Sequence, residues 1–215
     1  IWSSVIGLIG MLAPLAGFGI SSFLLKIYGE EGSVANRWNQ KIIEFVIMTT
    51  VIAISGMVVW TYLGPHEENI RVIQLNMTIT ILSVVCLEVV KAIYQIEGKY
   101  RHFSFIQLFY PAVRLTVVAV LVTFAFEQDL IFNISYAYAV ISLFFFLYYL
   151  FFFVKLHQGR GMILPQTEVK FLGKRGAQIT LKSVFSESWM YGAGGMFYYF
   201  WSQSQVVLIM YMIDA

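Results

Sequence analysis

The chain is 215 residues long, 59% hydrophobic and only 12% charged, with a formal net charge of +2 and a mean hydropathy of +0.75. An average soluble domain is about 25% charged, so composition excludes a water-soluble globular fold and implies an integral membrane protein. The single cysteine, Cys86, rules out an intrachain disulfide, and so small a net charge gives no reason to expect a nucleic-acid partner.

Six apolar segments reach the length of a spanning helix, about 20 residues: 1–25, 42–63, 72–94, 106–126, 131–154 and 184–213. Together they predict an all-α integral membrane protein, a polytopic transmembrane helix bundle. The first segment has no basic n-region and no initiator methionine, so it does not read as a cleavable signal peptide. An apolar run also continues almost to Ala215, and the expectation is an internal fragment of a longer membrane protein. Within this segment stand Gly7, Gly10, Pro14, Gly17 and Gly19. Pro14 removes one ladder hydrogen bond and the glycines loosen the flanking turns. Two readings stay open there: a hinge at Pro14 and Gly17, or close helix packing through small residues.

The third segment carries Gln74, Asn76, Thr78, Thr80, Ser83, Glu88 and Lys91. At 100° per residue these spread over more than half the helix, so protein or water must surround most of it. Glu88 and Lys91, spaced i, i+3, are set to pair locally, the alternative being a direct ligand role.

The fourth segment holds Arg114 with no acid in the same run. The residue lies ~13 Å from one end at 1.5 Å per residue, near the middle of a ~30 Å hydrocarbon core. A guanidinium at that depth costs roughly 2.5–3.5 kcal/mol on the lenient insertion scale and does not lose its proton. Gln107, Tyr110 and Arg114 follow at spacings of three and four and predict a polar track along one face. Pro111 sits in the same turn as a second hinge candidate. Arg114 reads either as an anion site or as the structural partner of Glu88 on the neighbouring span.

In the fifth segment the aromatic run 143–153 goes all round the helix and predicts a lipid-facing surface with an aromatic belt. Asn133-Ile134-Ser135 matches a glycosylation sequon but abuts the membrane and is read as accidental. The long connection 155–182 mixes apolar and basic residues over 168–182, where an interfacial helix and a solvated linker are both open. The sixth segment contains Tyr-Gly-Ala-Gly-Gly at 191–195, followed by Gln203 and Gln205. Small residues there allow tight packing, and the two amides read as cavity lining or as ordinary interhelical hydrogen bonding.

Alternate connections differ sharply in charge. Connections 26–41, 95–105 and 155–182 hold eleven Lys and Arg, while 64–71 and 127–130 hold only Arg71. By the positive-inside rule the basic connections are cytoplasmic and residue 1 starts outside. His66, His102 and His157 are scattered, no metal-ligand spacing or phosphate loop occurs, and no acids cluster, so no enzyme, metal site or cofactor is expected.

Residues 12–28, Leu-Ala-Pro-Leu-Ala-Gly-Phe-Gly-Ile-Ser-Ser-Phe-Leu-Leu-Lys-Ile-Tyr, resemble the second span of Wzx-type polysaccharide flippases. Gln95-Ile-Glu-Gly-Lys-Tyr-Arg-His-Phe and Pro111-Ala-Val-Arg114-Leu are similar to their fourth-to-fifth span passage, and residues 186–212 to their seventh span. These flippases belong to the multidrug/oligosaccharidyl-lipid/polysaccharide exporter superfamily, with two six-helix lobes around a central cavity. The resemblance implies three parts: 1–156 as five helices of an N-terminal lobe lacking its first, 157–182 as a cytoplasmic inter-lobe loop, and 183–215 as the first helix of a second lobe. It implies a bacterial inner-membrane transporter that flips undecaprenyl-diphosphate-linked oligosaccharide by alternating access, coupled to H+, Na+ or neither. The implied partners are the lipid-linked oligosaccharide, membrane lipids and other polysaccharide-assembly membrane proteins. Arg114, Gln107, Tyr110, Lys91, Glu88, Gln203 and Gln205 would line the substrate cavity, with Pro14, Gly17 and Pro111 as hinges. Where many relatives carry an acid in the seventh span, this chain has Gln205, which argues against proton coupling at that position. The rival readings are a drug or cation antiporter of the same superfamily and a non-transporting membrane scaffold or receptor.

Overall fold

A computed structural model describes residues 2–64, 68–124, 130–157 and 179–213, with side chains in the last helix described through Ser202. The described residues fold as helices: α1 Trp2–Gly17, α2 Ile20–Glu31, α3 Asn39–Leu63, α4 Glu68–Ile96, α5 Tyr100–Phe124, α6 Leu130–His157 and α7 Leu181–Ile213, with a 3-10 segment Gly32–Trp38 between α2 and α3. The protein is an all-α polytopic helical bundle, and five stretches, 7–31, 34–63, 68–96, 100–123 and 130–151, are long and apolar enough to cross a membrane. Of the stretch 168–182, where an interfacial helix and a solvated linker were both open, residues 168–178 lie outside the described residues, while Leu181 and Lys182 already begin α7.

The centre of the bundle is α4, against which α1, α2, α3, α5 and α6 all pack. In its most apolar stretch 61% is buried, against 28% for α6 and 11% for α5. The scatter of polar residues round α4 therefore has the physical reason expected of it, since a helix facing protein on most sides can offer a hydrogen bond in most directions. Gln74, Thr80 and Ser83 are buried, and their neighbours Ile73, Met77, Ile81, Val85 and Val89 form the core with Phe23, Phe45 and Met57.

The aromatic run of α6 departs from the expected all-round lipid surface. Leu143, Phe144, Leu147, Tyr148 and Phe151 are exposed, yet Phe145 and Tyr149 are buried against Cys86, Leu87 and Val90 of α4 and Ile106 and Tyr110 of α5. The two are spaced i, i+4, so one stripe of an all-apolar helix becomes core wherever a neighbour covers it.

The first apolar segment forms two helices. Phe18 (φ 34°) and Gly19 (φ 70°) both take the left-handed region, and Phe18 is the one non-glycine residue to do so among the described residues. A bulky residue there costs about 1–2 kcal/mol. Its ring lies between Phe45 of α3 at 6.2 Å and Phe185 and Trp189 of α7 at 5.6 and 5.7 Å. Such aromatic pairs contribute about 0.5–1.5 kcal/mol each, enough together to hold the strained turn. The break also frees the Ala16 carbonyl, which accepts a hydrogen bond from Thr49 Oγ1 at 2.6 Å. Beyond the break, α2 continues past Lys26 to Glu31, and Tyr28 Oη joins Asn36 and Asn39 at 2.8 Å each, so the connection expected at 26–41 is largely helical.

Helix α7 begins with a reciprocal cap in which Ser183 N–H donates to Thr180 Oγ1 (3.2 Å) and Thr180 N–H to Ser183 Oγ (3.0 Å). It packs on α1, α2 and α3. Gly192 meets the α1–α2 break directly, because a Cβ on Gly19 would fall 2.4 Å from Gly192 N, and one on Gly192 would fall 2.7 Å from the Phe18 ring. The tight packing read into 191–195 is met at this glycine, whereas Gly194 and Gly195 have open space. Lys26 of α2 bonds Glu187 of α7 at 2.7 Å across the same face.

Candidate functional site

A cavity of about 390 Å³ opens where the broken helix, α4 and α7 meet. One wall is Ile9, Gly10, Ala13, Pro14, Gly17 and Gly19 of the first span with Ile20, Ser21 and Ser22 of α2; the others are Met77, Thr80, Val84, Val85 and Glu88 of α4, and Tyr191, Gly192, Gly195 and Tyr199 of α7. Arg114 reaches into it from α5.

The sequence placed Arg114 near mid-membrane, and it stands near the middle of α5. Its Cζ lies 4.0 Å from the ring centre of Tyr138 on α6 and 5.3 Å from that of Tyr110, one turn earlier on α5. Its Nε is buried without a hydrogen-bond partner, and among the described residues it makes no ion pair. Glu88, the alternative partner, instead bonds Lys91 at 2.5 Å. Between the two pairings open to Glu88, local i, i+3 geometry wins because it requires no reach between helices. A desolvated cation–π contact contributes about 2 kcal/mol, so the Tyr138 contact with the longer Tyr110 one offsets much of the roughly 2.5–3.5 kcal/mol that insertion of the arginine costs. The charge is stabilised while its hydrogen-bonding capacity stays unspent.

Beside the cavity a polar layer ties three helices together. Tyr110 Oη shares hydrogen bonds with Ser83 Oγ at 3.0 Å and Ser142 Oγ at 3.3 Å, and Ser142 shares one with Thr80 at 3.1 Å. Towards the other end of α4, Asn76 donates to Ser135 of the sequon at 3.4 Å, with Ser135 itself buried.

Of the expected cavity residues, Arg114 and Glu88 line it, as do the hinge candidates Pro14 and Gly17. Lys91 is held by Glu88 one turn away, and Tyr110 is buried with its hydroxyl engaged, so it serves the cavity through Arg114. Gln107 is exposed on α5 and is not brought to the cavity. The polar track ends there because the face of α5 at Gln107 is uncovered, whereas its neighbours Ile106 and Tyr110 lie against α4 and α6. Helix α5 runs unbroken through Pro111, which is exposed, while the break near Pro14 falls at Phe18–Gly19. Gln203 and Gln205 belong to α7, but their side chains lie outside the described residues.

Sequence reasoning missed Tyr138 and Tyr199, and read Tyr191 only as part of the small-residue motif 191–195. Thr80 had been noted only as one of several polar residues on α4. Among the described residues no group of His, Cys, Asp and Glu is gathered as for a metal ion. No family model matches the chain, and no curated protein or solved structure is significantly similar to it.

Proposed function

We propose that this membrane-embedded helical bundle is a transporter that moves an anionic lipid, undecaprenyl-diphosphate-linked oligosaccharide, across the bacterial inner membrane by alternating access. The observation that carries the reading is Arg114, a permanent cation in a cavity, held by aromatic faces and without a carboxylate partner among the described residues. A diphosphate crossing the hydrocarbon core needs a counter-charge able to bind two oxygens at once, and a guanidinium provides it. A single cation binds weakly enough for release, where a dense basic cluster would trap the lipid. The break at Phe18–Gly19, in a helix that lines the cavity, supports a moving wall.

In this reading the connections 26–41, 95–105 and 155–182 face the cytoplasm. The antiporter alternative requires carboxylates open to the cavity, and the one described there, Glu88, is neutralised by Lys91. The test is surface polysaccharide in cells carrying Arg114→Ala or Arg114→Glu. Both variants should insert at wild-type levels and lose export. Full export by both variants contradicts the proposal, and a scaffold would instead show loss of assembly.

A further inference from the structure

Resting on the reading of the cavity as a site for a phosphoryl lipid, we infer that Tyr138 is its positioning residue: its ring holds Arg114 by the face of the guanidinium, which leaves the donors at the guanidinium's edge open to a phosphoryl oxyanion. The five N–H donors of arginine lie in the plane of the group, and its faces carry none. A carboxylate partner would occupy that edge, while an aromatic ring attracts the charge from above it. The separation points to the second kind: Cζ is 4.0 Å from the Tyr138 ring centre, closer than it could stand if an N–H were aimed down at the ring, and the Nε is buried without a partner.

The need for such a holder follows from the placement of α5. Only 11% of its most apolar stretch is buried, so packing alone does little to fix a long side chain that would otherwise extend towards water. Tyr110 supplies a second, longer contact at 5.3 Å, its ring anchored through the hydroxyl to Ser83 and Ser142. Tyr138, on a different helix, sets where the guanidinium stands relative to α4 and α7. Arg114 thus binds the ligand and Tyr138 acts through it.

The test uses the full chain purified in detergent and titrated separately with farnesyl diphosphate and inorganic pyrophosphate. Phenylalanine is placed at 138, then a series of ring-fluorinated phenylalanines that withdraw charge from the face at nearly constant size. Affinity should weaken with each fluorine and reach about tenfold below the Tyr138→Phe variant at three fluorines. Tyr138→Leu should bind at least as weakly. A flat fluorine series overturns the inference, as does wild-type affinity in Tyr138→Leu. A merely structural role would make affinity follow thermal stability and ignore fluorination. A fall seen with both probes assigns the site to the phosphoryl group itself, and one confined to farnesyl diphosphate assigns it to the lipid headgroup. Arg114→Gln separates the two levels. If it binds both probes like wild type, the underlying site reading fails too; if it abolishes binding beside a flat fluorine series, the Tyr138 inference alone fails.

Discussion

Two glycines of α7, two residues apart, should respond to alanine with different stability. At Gly192 an added Cβ would stand 2.7–2.8 Å from three atoms of the Phe18 ring, whereas at Gly194 it meets nothing within 4 Å. Both substitutions gain the same helix propensity, about 1 kcal/mol, so the difference between them isolates the clash. The Phe18 ring has no easy retreat, being packed on Phe45, Phe185 and Trp189 on a backbone already at φ 34°. Overpacking a filled site costs roughly 1–3 kcal/mol. With about 2–4 °C of Tm per kcal/mol for a chain of this size, Gly192→Ala should melt about 2–12 °C below Gly194→Ala. The chain carries its own reporter, since Cys86 is the single cysteine and is buried, so a fluorogenic thiol dye lights up as the bundle opens. Equal melting of the two variants would refute the claim that α7 docks on the break in the first span through Gly192.

Further outcomes follow from the same contacts. Tyr110→Phe removes a hydroxyl shared with Ser83 and Ser142 and should cost about 1–2 kcal/mol, read as a Tm loss with the same dye. Thr49→Val deletes the hydrogen bond to the freed Ala16 carbonyl and should destabilise by about 1 kcal/mol, whereas Thr116→Val, whose hydroxyl bonds only its own helix at an exposed position, should stay within about 0.5 kcal/mol of wild type. Gln107→Leu should leave both stability and pyrophosphate affinity unchanged, because Gln107 is exposed and away from the cavity; a tenfold loss of affinity in that titration would restore it to the site.

The spans were legible because each is a long apolar run, and their polar interruptions on α4 correctly marked the helix at the centre. What stayed hidden depends on contacts between residues far apart in sequence. Pro14 and Gly17 drew attention to the right turn, but the break itself falls at Phe18–Gly19, where a docking surface from residues 185–192 holds it. Helical periodicity put Gln107, Tyr110 and Arg114 on one face, yet it carries no information on where neighbouring helices cover that face. Tyr110 and Arg114 are covered by α4 and α6, and Gln107 is not. Phe145 and Tyr149 were lost in the aromatic run 143–153, and Tyr138 ahead of it in the same helix, because a helix so uniformly apolar has no amphipathic signal to separate core from lipid side. Glu88 was decidable in advance, since its local partner Lys91 lies one turn away and Arg114 on another helix.

The most direct test of the central claim is transbilayer movement itself. The purified chain is reconstituted in liposomes with a fluorescent polyprenyl-diphosphate sugar, and movement is read as the fraction of lipid exposed to an external quencher over time. Wild type should equilibrate the lipid between leaflets, Arg114→Lys should slow it, and Arg114→Ala should leave it at the protein-free rate. Equal rates for wild type and Arg114→Ala would contradict the account.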